Sequence, residues 1–393
     1  MSDQNPVFIP GPTNIPDRVR HAMNVQTRDH RSPDFVKTFA PVLEDCKRVF
    51  GTEAGQVITF PSTGTGGWEA AICNTLSAGD TVLIARYGMF SHRWIDMCQR
   101  HDLHVEVIEC PWGSGAPADL FRERLNKDSA HKIKAVLVTH NETATGVLSD
   151  IGAVRKAMNT TSHPAMLFVD CVSSLGSMPF KMDAWGVDIA IAGSQKGFML
   201  TTGMAILAAS PKALAAIETA QLPRTYFDFR DMMAANKNGG FPYTPPLQLI
   251  YGLKESLTML FDEGLDNVYA RHFRLAEGVR QAVAAWGFKL CANAPELYSH
   301  SVSAIYVPEG FDSNKLTDHA FNAYGVSFGI GLGEMNGKAF RIGHLGSLTE
   351  VMVLSGLAAI EMAMADLDYP ITLGSGVAAA QEYFRKTAAA NIG

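Results

Sequence analysis

Phe168-Val169-Asp170-Cys171-Val172-Ser173-Ser174 and Ala192-Gly193-Ser194-Gln195-Lys196-Gly197 each set a charged side chain just past a short apolar run, with 26 positions (196 − 170) between acid and amine. Working outward from them, further apolar runs lie at 57–61, 82–87, 105–111, 135–140, 166–170, 188–193 and 204–209. They are rich in Val, Ile and Leu without strict alternation, the pattern of strands covered on both faces. Several end in a turn followed by a helical stretch, which is the βα arrangement of an open sheet and predicts an α/β fold with a mainly parallel seven-stranded sheet. Ligands bind such sheets beyond the carboxyl ends of the strands. The polar residues of this chain fall at those ends.

A carboxylate at the position of Asp170 is costly to bury without a cationic partner. A protonated ring nitrogen of a ligand would supply one, and the pair would keep that ring an electron sink; a helix cap or a structural ion pair is the competing reading. Lys196, if desolvated, has a lowered pKa and a neutral amine able to form a Schiff base. Most lysines are solvated surface residues, so only the company of other segments singles it out. Ser62-Thr63-Gly64-Thr65-Gly66-Gly67 opens a helical pattern straight after a strand-like run. Glycines there allow close approach of an anion to free helix N–H groups, although a Gly-rich strand–helix turn would look the same. The segment is neither a P-loop nor a dinucleotide fingerprint. Thr139-His140-Asn141-Glu142-Thr143-Ala144-Thr145-Gly146 is a polar cluster at another strand end. Phe340-Arg341-Ile342-Gly343-His344 places an arginine in an apolar strand, where its planar fork suits a carboxylate or an internal ion pair.

Beyond Pro246 the pattern becomes helical at 247–261, 265–286, 313–324 and 348–366, with strand-like runs at 302–307 and 339–342. This predicts a smaller C-terminal α+β domain over 261–393, a large domain over 21–260 and an N-terminal arm over 1–20 packed across both, with the last residues a weakly held tail. Of the 393 residues 47% are hydrophobic and 18% charged, and the net charge is −6, which describes a soluble globule and argues against nucleic acid as a partner. No run approaches the ~20 apolar residues of a membrane helix, and the first residues lack a signal-peptide pattern. A soluble, cytoplasmic protein with no membrane partner is expected. The six cysteines show no C-x-x-C spacing, so neither a metal site nor a disulfide framework is expected.

Taken together, these segments resemble the class V aminotransferases of PLP-dependent transferase fold type I, in particular the alanine/serine/aspartate–glyoxylate aminotransferase group. The likeness runs from Ile9-Pro10-Gly11-Pro12-Thr13 to at least Gly346, and the Gly193-Ser194-Gln195-Lys196 match is its most specific piece. The resemblance implies pyridoxal 5'-phosphate as cofactor, held covalently by Lys196, with Asp170 facing the pyridine nitrogen. It implies Thr63, Gly64, Thr65 and Gln195 around the phosphate, Phe90 stacked on the ring, Val172 on the other face and Thr143 near the phenolic oxygen. Arg341 is similar to the arginine that binds the substrate α-carboxylate. Tyr243 and Thr244 lie in the segment that completes the phosphate site of a partner subunit in a homodimer or higher oligomer; the relatives' tyrosine could instead align with Phe241. Thr201-Thr202-Gly203 departs from a proline-containing turn. The activity implied is ping-pong transfer of an amino group from an amino acid, L-aspartate or L-serine, to the 2-oxo acid glyoxylate, giving glycine.

Pro295-Glu296-Leu297-Tyr298 and Pro308-Glu309-Gly310-Phe311-Asp312 look more like the aspartate branch, which would need a second cation from among Arg28, Arg31 and Arg93. Three rivals remain. A cysteine desulfurase of the same class needs a mobile thiol, yet 325–337 holds no cysteine and Phe90 stands where a histidine is usual. A dehydrogenase needs the missing glycine fingerprint. The third rival is a non-catalytic relative.

Overall fold

Seven strands build the central sheet of the computed structural model, which describes residues 6–388. Their order is Gln56–Ser62, Gly203–Ala209, Ile189–Gly193, Met166–Asp170, Ile133–Thr139, Thr81–Arg86 and His104–Glu109. All neighbours run parallel except Gly203–Ala209, which is antiparallel to the strands on either side. The unbroken apolar runs have a direct cause. Along Ile133–Thr139, Val136 and Val138 enter one core while Ala135 and Leu137 enter the core on the opposite face. A strand covered on both sides has no solvent face on which to alternate.

A second, five-stranded sheet runs in the order Val7–Phe8, Ser327–Ile330, Ala339–Gly343, Val302–Tyr306 and Lys289–Leu290. The helices Leu265–Ala285, Ser313–Tyr324, Glu350–Asp366 and Ser375–Thr387 cover it and share a separate core. Two of these strands, Val7–Phe8 and Ser327–Ile330, escape a sequence reading because two and four residues are too short to show a period. The helix expected from 348 starts at Glu350, where the hydroxyl of Thr349 accepts from the Met352 N–H at 3.3 Å.

The weakly held tail requires correction for residues up to 388. Ser375–Thr387 is a helix packed on Leu265–Ala285, and the buried Phe384 ring fills the space beside Gly278 that a Cβ would occupy. Residues 389–393 lie outside the described residues, as do residues 1–5 of the N-terminal arm. From residue 6 the arm touches both sheets. Val7 and Phe8 pair in parallel with Ser327 and Phe328, and the Thr13 N–H donates to the Gln195 carbonyl at 3.2 Å. No helix among the described residues is long and apolar enough to cross a membrane.

Candidate active site

Asp170 closes the strand Met166–Asp170, and Lys196 follows the end of its neighbour Ile189–Gly193, with Asp170 in register with Ile191. Parallel pairing therefore delivers both groups to one sheet edge. Both are buried, Lys196 at 8% and Asp170 at 4% exposure. Burial lowers the Lys196 ammonium from 10.5 to about 8; the Arg341 cation adds to this and Asp170 opposes it. Burial likewise raises the Asp170 carboxyl from 3.8 to about 7, against the Val172 N–H that donates to it at 2.9 Å. The Trp68 indole N–H faces the same carboxyl closely enough to hold its pKa down, yet falls short of hydrogen-bond geometry and has no other partner. Lys196 Nζ donates to the Pro10 carbonyl. Gly11 sits at φ +101° with no room for a side chain, since a Cβ would lie 2.5 Å from Lys196 Cδ and 2.6 Å from Nζ.

One cavity gathers Thr63, Gly64, Thr65, Phe90, Thr143, Asp170, Val172, Gln195 and Lys196, with Trp68 and Ser173 completing its wall. Three features suit it to a phosphorylated, ring-bearing cation. The helix Gly64–Thr75 begins here with no acid in its first turn, and the hydroxyl of Thr63 at its N-cap makes no capping bond, so free N–H groups and an unused donor meet in one place. Gln195 Oε1 is buried without a partner; exchanging the two amide atoms would point a donor there instead. The buried Asp170 carboxyl, with only the Val172 N–H bonded to it, calls for a cation at the other end of the cavity.

Glu142 belongs to the site and had no role in the sequence reading. It is fully buried, and its carboxylate accepts from the N–H groups of Phe90 (3.1 Å), Ser91 (3.0 Å) and Ala144 (3.2 Å) and from the Ser91 hydroxyl (3.2 Å). Burial pushes this carboxyl up while those donors pull it down. The acid caps the helix Met89–Arg100 and so fixes Phe90 over the cavity. Gly88 is required for the approach, because a Cβ there would collide with the Glu142 side chain. The only signal was an acid next to Thr143, and nothing local ties it to a helix fifty residues earlier. Thr143 itself shares a hydrogen bond of 2.7 Å with Ser173.

Arg341, on Ala339–Gly343 of the other sheet, lies behind the cavity wall at Thr143. Its Nε donates to the Ile330 carbonyl at 2.9 Å and Nη1 to the Thr143 carbonyl at 3.1 Å. Burial lowers it to about 10. It pairs with no acid among the described residues, so the internal ion pair considered above is not formed. Its remaining donors are free for a carboxylate. Tyr243 and Thr244 stay outside the cavity: Tyr243 stacks on Tyr226 at 4.6 Å and donates to its carbonyl at 3.2 Å, while Thr244 is exposed. The further cations Arg28, Arg31 and Arg93 are all exposed and none lines the cavity; Arg28 lies 5.9 Å over Tyr251 and Arg93 5.6 Å over the Phe90 ring. The Thr201–Gly203 turn is tied to the lysine's own segment by the Ser194 hydroxyl, which donates to the Thr201 carbonyl at 2.7 Å.

The family described as aminotransferase class-V matches residues 10–329. The chain is 63% identical to an L-aspartate–glyoxylate aminotransferase of Paracoccus denitrificans (strain Pd 1222), covering 99% of this chain and 98% of that one. It is 56% identical to a serine–glyoxylate aminotransferase of Hyphomicrobium methylovorum, over 97% and 95% of the two chains. Among solved structures, pyridoxamine-pyruvate aminotransferase from Mesorhizobium loti superposes with a TM-score of 0.91 at 26% identity, covering 98% of each chain.

Proposed function

The chain belongs to the class-V aminotransferases, and from that premise we propose that it moves the amino group of L-aspartate to glyoxylate, giving oxaloacetate and glycine. The observation that carries the chemistry is a buried lysine in the same cavity as a buried aspartate, with burial lowering the amine to about 8. The choice of aspartate is supported by the higher identity to the aspartate-using relative than to the serine-using one. Pyridoxal 5'-phosphate, when bound, supplies the aldehyde that takes the amino group and the electron-accepting ring that makes the donor's α-proton acidic.

The chain's own residues would divide the remaining work. Thr63, Gly64, Thr65 and Gln195 would hold the phosphate, Asp170 would keep the ring nitrogen protonated, Phe90 and Val172 would hold the ring, and Thr143 would serve its oxygen. Arg341 binds the donor's α-carboxylate. Lys196, neutral in a useful fraction near pH 8, would take the α-proton on Nζ and hold it for return. The same residues serve the second half of a ping-pong cycle, with glyoxylate as acceptor. A second copy of the chain completes the phosphate side through Tyr243 and Thr244. The exposure of Thr244, which takes no part in the cavity wall of its own chain, supports this. Six free thiols support a reducing, cytoplasmic setting.

Incubation of the purified protein with glyoxylate and each of aspartate, serine and alanine tests the reading, following glycine and the matching oxo acid. Aspartate is expected to give glycine fastest. Glycine from no donor would remove the glyoxylate reading, and faster turnover with serine would remove the choice of donor.

A further inference from the structure

We infer that Arg93 grips the side-chain carboxylate of a four-carbon dicarboxylic donor and thereby sets the donor class; the inference rests on the transamination reading above. Arg93 stands one turn after Phe90 on the helix Met89–Arg100, exposed to solvent beside the cavity whose wall Phe90 forms. Its Cζ lies 5.6 Å from the Phe90 centroid, and Phe90 lines the cavity wall.

Arg93 also lies close enough to Arg341 to depress its pKa, although one stands on a helix beside the central sheet and the other on a strand of the second sheet. Two neighbouring cations repel; Glu142, the buried acid that opposes this at Arg341, is itself engaged by the N–H groups of Phe90 and Ser91. Neighbouring arginines behave differently. Arg86 pairs with Glu109 at 3.0 Å and Arg100 with Asp96 at 2.9 Å, whereas Arg93 pairs with no acid among the described residues. A dianion of aspartate's length relieves this arrangement, with its α-carboxylate on Arg341 and its second carboxylate on Arg93. Serine or alanine offers Arg93 no charge. Arg28, over Tyr251, lines a different pocket.

The test is binding of succinate and of butyrate to the holoenzyme by calorimetry, for wild type, Arg93→Leu and Arg93→Lys. Wild type is expected to prefer succinate by about tenfold or more, as one charge-assisted contact supplies. Arg93→Leu should bring that ratio to about one, and Arg93→Lys, which keeps the charge but not the fork, should fall between. The inference is overturned if wild type shows no preference, if the ratio survives in Arg93→Leu, or if both ligands weaken equally, which would mean that Arg93 merely props Phe90. The two readings fail separately. An Arg93-dependent succinate preference without glycine from aspartate would refute the donor reaction and support the binding inference.

Discussion

Replacing Lys196 with methionine should stabilise the protein once it is stripped of cofactor, although that side chain anchors the proposed chemistry. The buried ammonium titrates at about 8 instead of 10.5, and each unit is worth about 1.4 kcal/mol, so holding it charged costs about 3 kcal/mol at neutral pH. Methionine keeps the length and the packing and removes the charge. The sign follows from linkage. Below pH 8 the folded and unfolded chains both carry the proton and the penalty is complete. Between 8 and 10.5 the folded chain sheds it first, so the penalty fades, and above 10.5 it is gone. Asp170, raised to about 7, brings a cost of its own above pH 7, but both proteins contain it and most of it cancels. Loss of the hydrogen bond to the Pro10 carbonyl trims the gain to about 2 kcal/mol. Urea unfolding of both stripped proteins, at one protein concentration and from pH 6.5 to 10.5, reads the difference directly. A variant less stable than wild type at pH 7, or a difference that stays constant with pH, would refute the claim that desolvation governs this amine.

Two further substitutions probe the support of the site and of the second sheet. Glu142→Ala leaves the N–H groups of Phe90, Ser91 and Ala144 without their acceptor, and should cost about 3 kcal/mol in urea unfolding and loosen cofactor retention on dialysis. Phe384→Ala empties the space beside Gly278 and should cost about 3 kcal/mol; a loss near zero would mean that the last helix does not dock in solution.

The large sheet was legible because its strands are buried on both faces and therefore read as apolar runs, and because strand ends are where an α/β sheet presents its chemistry. Asp170 and Lys196 could be found from their positions after such runs. Glu142 could not, since its meaning comes from a helix that begins at residue 89 and meets it only in three dimensions. Ser327–Ile330 was hidden inside a glycine-rich stretch too short for a period, and Val7–Phe8 gains strand character only from that partner. The last helix reads as a tail because Ala380 and Phe384 carry most of its burial. Tyr243 and Thr244 lie outside the reach of a single chain in a different sense, since their proposed role needs a second copy.

The N-terminal arm ties the order of synthesis to the readiness of the amine. Val7 pairs with Ser327, 320 positions later (327 − 7), and the stretch between this pairing and Thr13 supplies the Pro10 carbonyl that meets Lys196. A chain emerging from the ribosome can lay down most of the central sheet while Val7 and Phe8 still lack the strand they pair with. Thr13 can meet Gln195 early, but the strand pairing that fixes the other side of Pro10 must wait until nearly all the chain has been made. A contact of such long range is slow to form, so the arm that covers the key nitrogen is secured on both sides only after the principal sheet exists.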